Sequence, residues 1–534
     1  MSLLNFFPKD FTPTSQQTKT INKIQHAFES SDVVILNAPT GTGKSFFAKT
    51  LSSSASICSD IKKESIHDYS AFDIDHHGQY SNPDHLQSHG GLVLTITKAL
   101  QDQYKNLFNC NILKGKSNYM STLDSKIDVE IESAVMPKKI IHPHRLDHKC
   151  NYHNDRRDIL TEQFGSMNYK MFMSLPGHVK YRDYIICDEA SELEDELVSQ
   201  ASCIIKYRLL ERVNISFNKL RIDTAKEVYE WLSELVQVLQ ENRTYLQRTL
   251  QKKNKWGTTD QVKYKIINQL HSHITTCVNN FHDCEYIVQK DSEQVTLTPL
   301  HVNTLAGNIL EYGNKKLLMS ATIIDHARYA KSLGITDYEY IEIGSDFKSS
   351  KSPIYCSSKY PLSRGTMNKY LPKIINNIKD ILKHHKNDKG VIHTHTHDIT
   401  EKVCSGIGGS RLIYREPGTD NETILRAHND SSDPTVIVSP SLTYGVDLKD
   451  ELSRFQIIVK LPYLPLHDKR IKQLFTESPE WYENKMLNTL VQACGRSTRS
   501  ADDYSITYIL DGNISKVIHK CRHKLPSYFI QRFV

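Results

Sequence analysis

The residues whose types and spacing most clearly suggest chemistry begin at Ala38, one residue after the apolar run Val33 to Leu36. They are Ala38, Pro39, Thr40, Gly41, Thr42, Gly43, Lys44 and Ser45. Glycines in such a turn let backbone N–H groups curl around a phosphate, and a helix that follows adds the positive end of its dipole. In this pattern Lys44 neutralises the β- and γ-phosphate oxygens, and the Ser45 hydroxyl binds Mg²⁺. The stretch therefore predicts a nucleotide-binding P-loop, with a chance glycine turn as the alternative.

An acidic pair, Asp188 and Glu189, follows a second apolar run, Tyr184 to Cys187. Ligands gather at the carboxyl ends of parallel strands, so both carboxylates are expected to reach the phosphates beside Lys44. In that place Asp188 holds Mg²⁺ and Glu189 polarises the attacking water as general base. Taken alone, the pair could equally be a solvated helix start.

Two later stretches could complete this site. Ser320 and Thr322 follow a third apolar run and are suited to respond to the phosphate state. Gln492, Arg496 and Arg499 are spaced so that one helical face carries all three. Arginines supplied by a second domain stabilise the charge of a transferring phosphoryl group and make hydrolysis depend on closure of the cleft. A solvated basic helix face is the alternative for these three residues.

Alternating strand and helix signals must position these residues, and they predict an α/β fold with parallel sheets. A first sheet domain is interrupted by polar stretches at 52–90 and 114–166, and a second begins near 336. Between them, apolar residues at helical spacing within 205–290 predict two long antiparallel helices that project from the first domain. We found no internal sequence repeat.

Composition excludes several classes of protein. The 534 residues have 67 lysines and arginines against 61 acidic residues, a net charge of +6, so any basic surface must be local. Hydrophobic residues make up 39% and charged residues 24%, which is typical of a globular protein. No apolar run could span a membrane, and the 11 cysteines contain no CxxC pair. We therefore predict a cytoplasmic protein with reduced thiols and no membrane partner.

Six motifs in order carry a resemblance to a known family. They are LNAPTGTGKS, LTITKALQDQY, IICDEAS, LLMSATI, SPSLTYGVDL and QACGRSTR, and together they resemble superfamily 2 DNA helicases of the XPD/DinG group. The resemblance implies two RecA-like domains, a helical arch-like insertion, and ATP-driven 5′-to-3′ movement on single-stranded DNA. The implied division is 1–113, 167–204 and 291–335 for domain 1, 114–166 for the iron–sulfur region, 205–290 for the arch and 336–534 for domain 2.

The resemblance also implies roles for individual residues. Gln17 reads adenine, and Gly445 and Asp447 couple the nucleotide to the strand. Two departures affect nucleotide binding and coupling: Thr14 stands where the family has an arginine, and Tyr444 where it has a glutamate.

Many members of the family hold an iron–sulfur cluster with four cysteines, and this sequence lacks most of them. Ser121 occupies the first ligand position, and Cys150 matches only the last. We therefore predict that the cluster is absent. The nearby histidines could suit Zn²⁺ together with Cys150, but their spacing matches no zinc module, and a solvated histidine-rich loop is the preferred interpretation. They are His142, His144, His148 and His153.

Candidate nucleic-acid contacts are Thr97, Lys98 and Gln103 after the second strand, and Lys253 and Trp256 at the tip of the helical pair. Single strands are bound by basic grooves that carry aromatic side chains. A charged turn at a helical tip is more often only solvated, which is the alternative for the last two residues.

The sequence predicts an ATP- and Mg²⁺-dependent helicase whose partner is single-stranded or tailed duplex DNA. RNA stays open as a partner, and a monomer is expected. One alternative is a translocase that remodels R-loops or protein–DNA complexes without unwinding long duplexes. A second alternative is a single-strand clamp that binds ATP and scarcely hydrolyses it. The lost cluster and the insertion at 52–90 raise the hypothesis of a divergent lineage, bacterial or phage-encoded.

Overall fold

The structure is a computed structural model. It describes residues 1–56, 89–115, 118–119, 151–216, 224–252, 258–344, 348–356, 358–414, 421–440, 448, 450–495 and 503–534. Within these ranges the chain forms two parallel β-sheet domains and a helical insertion that belongs to the first. No helix in the described ranges combines the length and apolar character needed to cross a bilayer.

The first half of the chain alternates strands and helices. Its elements are α1 (Ser15–Ser30), β1 (Val33–Asn37), α2 (Lys44–Ser54), β2 (Gly91–Thr95), α3 (Lys98–Phe108), β3 (Asn111–Leu113), α4 (Asn151–Thr161), β4 (Phe164–Asn168), α5 (Tyr169–Met173), β5 (Arg182–Asp188), α6 (Leu193–Ala201), β6 (Cys203–Lys206), α7 (Tyr207–Arg212), α8 (Ala225–Lys252), α9 (Thr258–Asn279), β7 (Tyr286–Lys290), β8 (Gln294–Pro299), α10 (Gly307–Leu310), β9 (Gly313–Ser320), α11 (His326–Ser332) and β10 (Glu339–Glu342).

Seven of these strands form the first sheet, in the order β10-β1-β9-β5-β2-β4-β3, and all neighbours are parallel. Every residue of β1 and β2 is buried, because helices cover both faces of the sheet. β1, β9 and β5 are adjacent, and their carboxyl ends at Asn37, Ser320 and Asp188 lie side by side. The predicted site residues follow these three strand ends.

The second half repeats the pattern. Its elements are β11 (Ile354–Tyr355), α12 (Met367–His384), β12 (Gly390–His393), α13 (His397–Ile407), β13 (Leu412–Tyr414), α14 (Asn421–Asp430), β14 (Val436–Ser439), β15 (Phe455–Ile458), α15 (Lys469–Glu477), α16 (Pro479–Cys494), β16 (Ile506–Ile509), α17 (Ile514–Cys521) and α18 (Ser527–Ile530). The strands form a parallel sheet in the order β11-β16-β15-β12-β14-β13. The predicted fold class, two parallel-sheet α/β domains with a helical insertion, is confirmed.

The insertion contains a small sheet that the sequence did not predict. The long helices α8 and α9 pack against each other and over the antiparallel strands β6-β8-β7. β8 lies within 291–335, the range predicted for the first sheet domain, yet its partner strands among the described residues are β6 and β7. Its alternate residues are buried against the helices, so its apolar face belongs to the insertion.

The predicted insertion at 114–166 also differs from the structure. β4 is a strand of the first sheet, and α4 buries Tyr152, Ile159 and Leu160 in the core beneath it. The sequence of β4, Phe-Gly-Ser-Met-Asn, has no β-branched residue, so it carries little strand signal. Most of the other predicted insertion, residues 57–88 of 52–90, lies outside the described residues.

Candidate active site

The predicted P-loop joins β1 to α2, as the sequence indicates. Gly41 and Gly43 have φ angles of 84° and 89°, in the left-handed region that favours glycine. A Cβ at Gly43 would also lie 2.2 Å from Gln17 Nε2, so the end of the Gln17 side chain would have to move. The Lys44 ammonium donates to the Ala38 carbonyl oxygen at 3.2 Å, so it reaches back across the loop. The loop therefore has the backbone shape of a phosphate cradle.

Gln17 lies against this loop. Its Nε2 is 3.5 Å from the Thr42 carbonyl oxygen, and its Oε1 accepts a hydrogen bond from the Thr14 amide at 3.0 Å. The Thr14 hydroxyl accepts from the Gln17 amide in return, so the two residues form a capping box at the start of α1. Thr14, the departure noted in the sequence, therefore serves to fix Gln17 beside the P-loop.

Asp188 and Ser45, the two predicted Mg²⁺ ligands, both lie beside Tyr104. The Tyr104 hydroxyl donates to Asp188 Oδ2 at 2.9 Å and lies near the Ser45 side chain. Burial and the neighbouring charge of Glu189 raise the pKa of Asp188 to about 6, although the Lys44 ammonium opposes the shift. Two oxygen ligands beside a common hydroxyl fit a hard divalent cation, which would favour the ionised carboxylate. Sequence reasoning missed Tyr104, although it closes the motif LTITKALQDQY.

Glu189 begins the turn after β5 with a φ angle of 51°. Its amide donates to Asp188 Oδ1 at 3.0 Å, and its Oε2 accepts from the Ser320 hydroxyl at 3.3 Å. Left-handed backbone costs a residue with a side chain about 1 kcal/mol or more, and such positions cluster where geometry serves function. The turn aims the carboxylate along the edge of the sheet toward Ser320.

A chain of hydrogen bonds connects Glu189 to the second sheet domain. Gln492 Nε2 donates to the Ser191 hydroxyl at 3.0 Å, and the Ser191 and Ser320 hydroxyls are 2.9 Å apart. Ser320 in turn donates to Glu189, so each group can donate to the next along the chain. Gln492 is buried, and its Oε1 has no partner among the described residues. The sequence signal for Ser191 was its place in the motif IICDEAS, which we had read only for its two carboxylates.

The helix that carries Gln492 ends against the P-loop. A Cβ built on Gly495, the residue that caps α16, would lie 3.8 Å from the Thr40 hydroxyl. Arg496 and Arg499, the predicted arginines, come directly after it and lie outside the described residues, as does Asp447. The described part of α16 therefore brings this end of the second domain to the predicted nucleotide site.

The rest of α16 is fixed to the first domain along the same face. The residues on this face are Trp481, Lys485, Asn488 and Gln492. Trp481 Nε1 and Lys485 Nζ each lie 3.2 Å from a Glu194 carboxylate oxygen, and the Asn488 side-chain oxygen accepts from the Ile324 amide at 3.3 Å. Spacings of three and four residues place these groups on one side of the helix.

Glu194 is the centre of a buried charge cluster between the domains. Arg470 Nη2 lies 3.4 Å from its carboxylate, and Lys485 also contacts Asp195 at 3.0 Å. Burial raises the pKa of Glu194, but the charges of Lys485 and Arg470 outweigh it and hold the pKa below its usual range. The carboxylate is therefore ionised at neutral pH, and its loss would leave two buried cations without their shared partner.

The predicted nucleic-acid contacts of the first domain lie at the start of α3. Thr97 caps this helix by accepting from the Leu100 amide at 3.3 Å. Lys98 and Gln103 are exposed, and Lys98 donates to the Asn118 side chain at 2.6 Å. Lys253 and Trp256 at the helical tip lie outside the described residues. These positions stay predictions of contact with nucleic acid.

The second domain contains an equivalent turn that sequence reasoning missed. Thr396 caps α13 by accepting from the Ile399 amide at 3.3 Å, and α13 follows β12 as α3 follows β2. The two turns read Thr-Ile-Thr-Lys at 95–98 and Thr-His-Thr-His at 394–397. This four-residue similarity was the available signal, and it was too short to register as a repeat.

Most of the residues of the alternative zinc site lie outside the described residues. Within the described ranges, no group of three or more histidine, cysteine or acidic residues could hold a metal ion. Ser121, His142, His144, His148 and Cys150 lie outside those ranges. The side chain of His153, on α4, is not described either.

Residues 378–531 match a family model described as a helicase C-terminal domain. Among curated proteins, the ATP-dependent DNA helicase CHL1 of Candida albicans is 24% identical over 158 residues, which is 24% of this chain and 18% of that protein. A regulator of telomere elongation helicase 1 homolog of Caenorhabditis elegans is 30% identical over 83 residues, 12% of this chain and 8% of that protein. The matches thus span less than a fifth of these relatives.

Solved structures resemble the whole chain. A structure described as an XPD helicase has a TM-score of 0.61 at 17% identity, over 96% of this chain and 98% of that one. Xpd4 of S. tokodaii has a TM-score of 0.55 at 15% identity, over 95% of this chain and 97% of that one. At these identities the likeness establishes the fold.

Proposed function

We propose that this chain, a member of the XPD/DinG group of superfamily 2 by its motifs, its fold and its helicase C-terminal domain, is an ATP-dependent DNA helicase. The observation that carries the proposal is the chain of hydrogen bonds from Gln492 in one sheet domain to Glu189 in the other. In a motor, the rate of hydrolysis must depend on the relative position of the two domains. These hydrogen bonds connect the position of the second domain to the general base of the first.

In this proposal Glu189 accepts a proton from the attacking water. Gln492 Oε1, which has no partner among the described residues, is available to accept a hydrogen bond from the other O–H of this water and so orient it. Ser191 and Ser320 hold Gln492 and Glu189 at fixed positions relative to each other. Arg496 and Arg499 follow the end of α16 and would stabilise the charge of the transferring phosphoryl group.

Lys44 and the P-loop amides would bind the β- and γ-phosphates. Ser45 and Asp188 would hold Mg²⁺, which supplies neutralisation of phosphate charge when bound. Tyr104 would hold the Asp188 carboxylate in place beside Ser45 through its hydrogen bond to Oδ2. Gln17, fixed against Thr42 by its capping box, would recognise adenine beside the loop.

The nucleic-acid strand would cross both domains at the two equivalent turns. Thr97 and Thr396 each place a half-buried hydroxyl and the first amides of a helix at the carboxyl end of a sheet strand. Backbone phosphates are favoured by such helix starts. One turn on each domain gives the strand two attachment points whose separation changes when the cleft opens or closes.

A strand-displacement assay tests the helicase and its direction. We expect ATP-dependent release of the short strand from a duplex with a 5′ single-stranded tail, and none from a matched 3′-tailed duplex. Running the assay with DNA and RNA tails separates the two nucleic acids. Failure on every tailed duplex, with intact strand-stimulated hydrolysis, would reject unwinding.

A translocase without processive unwinding is the second candidate. The observation that favours it is the sequence itself, in which Ser121 replaces the first cluster cysteine and the two middle ligands are missing. The family resemblance associates this region with strand separation. Displacement of a protein block from single-stranded DNA, without duplex opening, would identify this activity.

A further inference from the structure

The positive charge of the chain is concentrated in one segment of the second domain. Residues 359–389 contain eight lysines and arginines and two aspartates, a net charge of +6, which equals the net charge of the whole chain. The rest of the protein is therefore neutral overall. This segment contains α12, whose apolar side packs on the second sheet while its lysines lie on the outer side.

Two of these lysines are held in place by aromatic rings. Tyr360 and Tyr370 stack with their ring centroids 5.4 Å apart. Lys373 Nζ lies 5.2 Å from the centroid of Tyr360, and Lys369 Nζ lies 5.1 Å from that of Tyr370. A cation over a ring face is attracted by the ring quadrupole. The two ring faces therefore favour these positions of the ammonium groups before any ligand binds.

Neither lysine is neutralised by an acid. No carboxylate lies within ion-pair distance of Lys369 or Lys373 in the part of the chain that the structure describes, and both residues are exposed. Lys383, at the far end of the same helix, does have such a partner in Asp380 at 3.3 Å. Ordered, exposed cations without a counter-charge are suited to bind anions.

Lys369 lies at the same end of the domain as the Thr396 turn, and Lys373 lies about one helical turn further along α12. α12 precedes β12 and α13 follows it. Because β12 belongs to a parallel sheet, both helices run opposite to the strands. A Cβ built on Gly406, near the end of α13, would lie 3.0 Å from Ile375 Cδ1 in the middle of α12, so these two parts of the helices are adjacent. Ile375 lies eight residues after the start of α12, and Gly406 lies nine residues after the start of α13. At 1.5 Å per residue, both helix starts therefore lie at the same level, about 13 Å from this pair of residues.

We propose that Lys369 and Lys373, ordered on Tyr370 and Tyr360, form a phosphate-binding platform that extends the single-strand path of the second domain beyond the Thr396 turn. We call this pair of lysines the α12 platform. Single-stranded DNA is the occupant because the platform adjoins the strand-binding edge and offers cations without an apolar surface for a protein partner. The inference rests on the proposed function.

Salt dependence of binding measures the platform directly. Each phosphate contact with a single strand contributes about 0.7 to the slope of log affinity against log salt concentration. We expect Lys369→Gln with Lys373→Gln to lower this slope by about 1.4 on a long oligothymidylate. An oligothymidylate of about 8 nucleotides is near the footprint of single-strand binding modules. It should bind along the two turns without reaching the α12 platform, so the slope of its log affinity against log salt concentration should be the same in the variant. The matched control is Lys383→Gln with Lys386→Gln, which removes the same charge from the far end of α12.

The outcomes separate the platform from the proposed function. A lower slope on the long strand in the platform variant alone supports the platform. An unchanged slope, or an equal fall in the control variant or on the short strand, overturns it. If the unaltered protein binds neither strand, the proposed function fails instead. Equal melting temperatures of the variants and the unaltered protein check that each variant folds.

Discussion

The two sheet domains contribute to the candidate active site in different ways. In the first domain Lys44, Asp188, Glu189 and Ser320 follow neighbouring strands, and short contacts within that domain hold them in place. The second domain contributes through one helix, α16, which is fixed to the first domain at separate points along its length. The first half of the site is therefore assembled by the sheet itself, and the second half depends on domain contact.

This difference assigns separate tasks to the two halves. Groups that the sheet assembles can bind nucleotide whatever the position of the second domain. Groups that arrive on α16 are present only when the domains meet in the observed arrangement. We therefore expect changes in the first half to affect binding or the chemical step itself, and changes in the second half to affect turnover more than nucleotide affinity.

The largest expected effect is at the general base. Glu189→Gln keeps the size of the side chain and its bond to Ser320 but cannot accept a proton. We predict that turnover falls about 1000-fold while nucleotide affinity stays near normal. Single-turnover hydrolysis and equilibrium nucleotide binding measure the two quantities. Near-normal hydrolysis would show that the base is another residue.

A smaller loss is expected from the arginine that follows α16. Arg499→Ala should lower turnover about 100-fold, because it removes one charge that stabilises the transition state. The change in ATP affinity should be several-fold less than the change in turnover. Steady-state hydrolysis over a range of ATP concentrations separates the two. Unchanged turnover would remove Arg499 from the site.

The far end of α16 offers a test of domain contact without touching the nucleotide site. Lys485→Met leaves Glu194 buried with Arg470 as its remaining close cation, which should destabilise the folded protein by about 3 kcal/mol. Turnover should fall about 10-fold because Gln492 is displaced, while ATP affinity should change little. A loss of turnover without a loss of affinity is expected of a residue that positions a group of the site and does not bind ATP.

Lys520→Met is the matched control for Lys485→Met. Lys520 also pairs with a glutamate, Glu483, but lies within the second domain with 71% of its side chain exposed. Its loss should cost less than about 1 kcal/mol and leave turnover unchanged. Equal effects of the two changes would mean that the buried cluster does not position α16.

The smallest effects concern the two equivalent turns. Thr97→Ala and Thr396→Ala each remove a helix cap worth about 1 kcal/mol and one phosphate contact, so single-strand affinity should fall roughly 5-fold. Thr97→Ser and Thr396→Ser keep the hydroxyl and should restore binding. An effect in only one domain, measured by fluorescence anisotropy with labelled oligonucleotide, would show that the strand does not use both turns.

Local features of the site were predictable from the sequence. The P-loop and the acidic pair each follow an apolar strand within a few residues, so strand, turn and helix appear as one continuous pattern. The helical spacing predicted one helical face for Gln492, Arg496 and Arg499; α16 carries Gln492 and ends at Cys494, and the two arginines after it stay predictions. The short strands β11 and β13 at the sheet edges, with two and three residues, were too brief to show a pattern.

Contacts between distant parts of the chain were not predictable in this way. Glu194 and Lys485 are separated by almost three hundred positions, and neither differs in type from an ordinary surface residue until the domains pack. Tyr104 reads as one more apolar position of α3, although its hydroxyl donates to Asp188. In both cases the role arises from burial, which depends on the packing of whole domains.

Phosphate release with and without single-stranded DNA tests the central claim, that contact between the domains controls hydrolysis, most directly. The account predicts slow release without DNA, strong stimulation by single-stranded DNA, and loss of that stimulation in Gln492→Ala with ATP binding retained. Equal rates with and without DNA in the unaltered protein, or undiminished stimulation in Gln492→Ala, would contradict it.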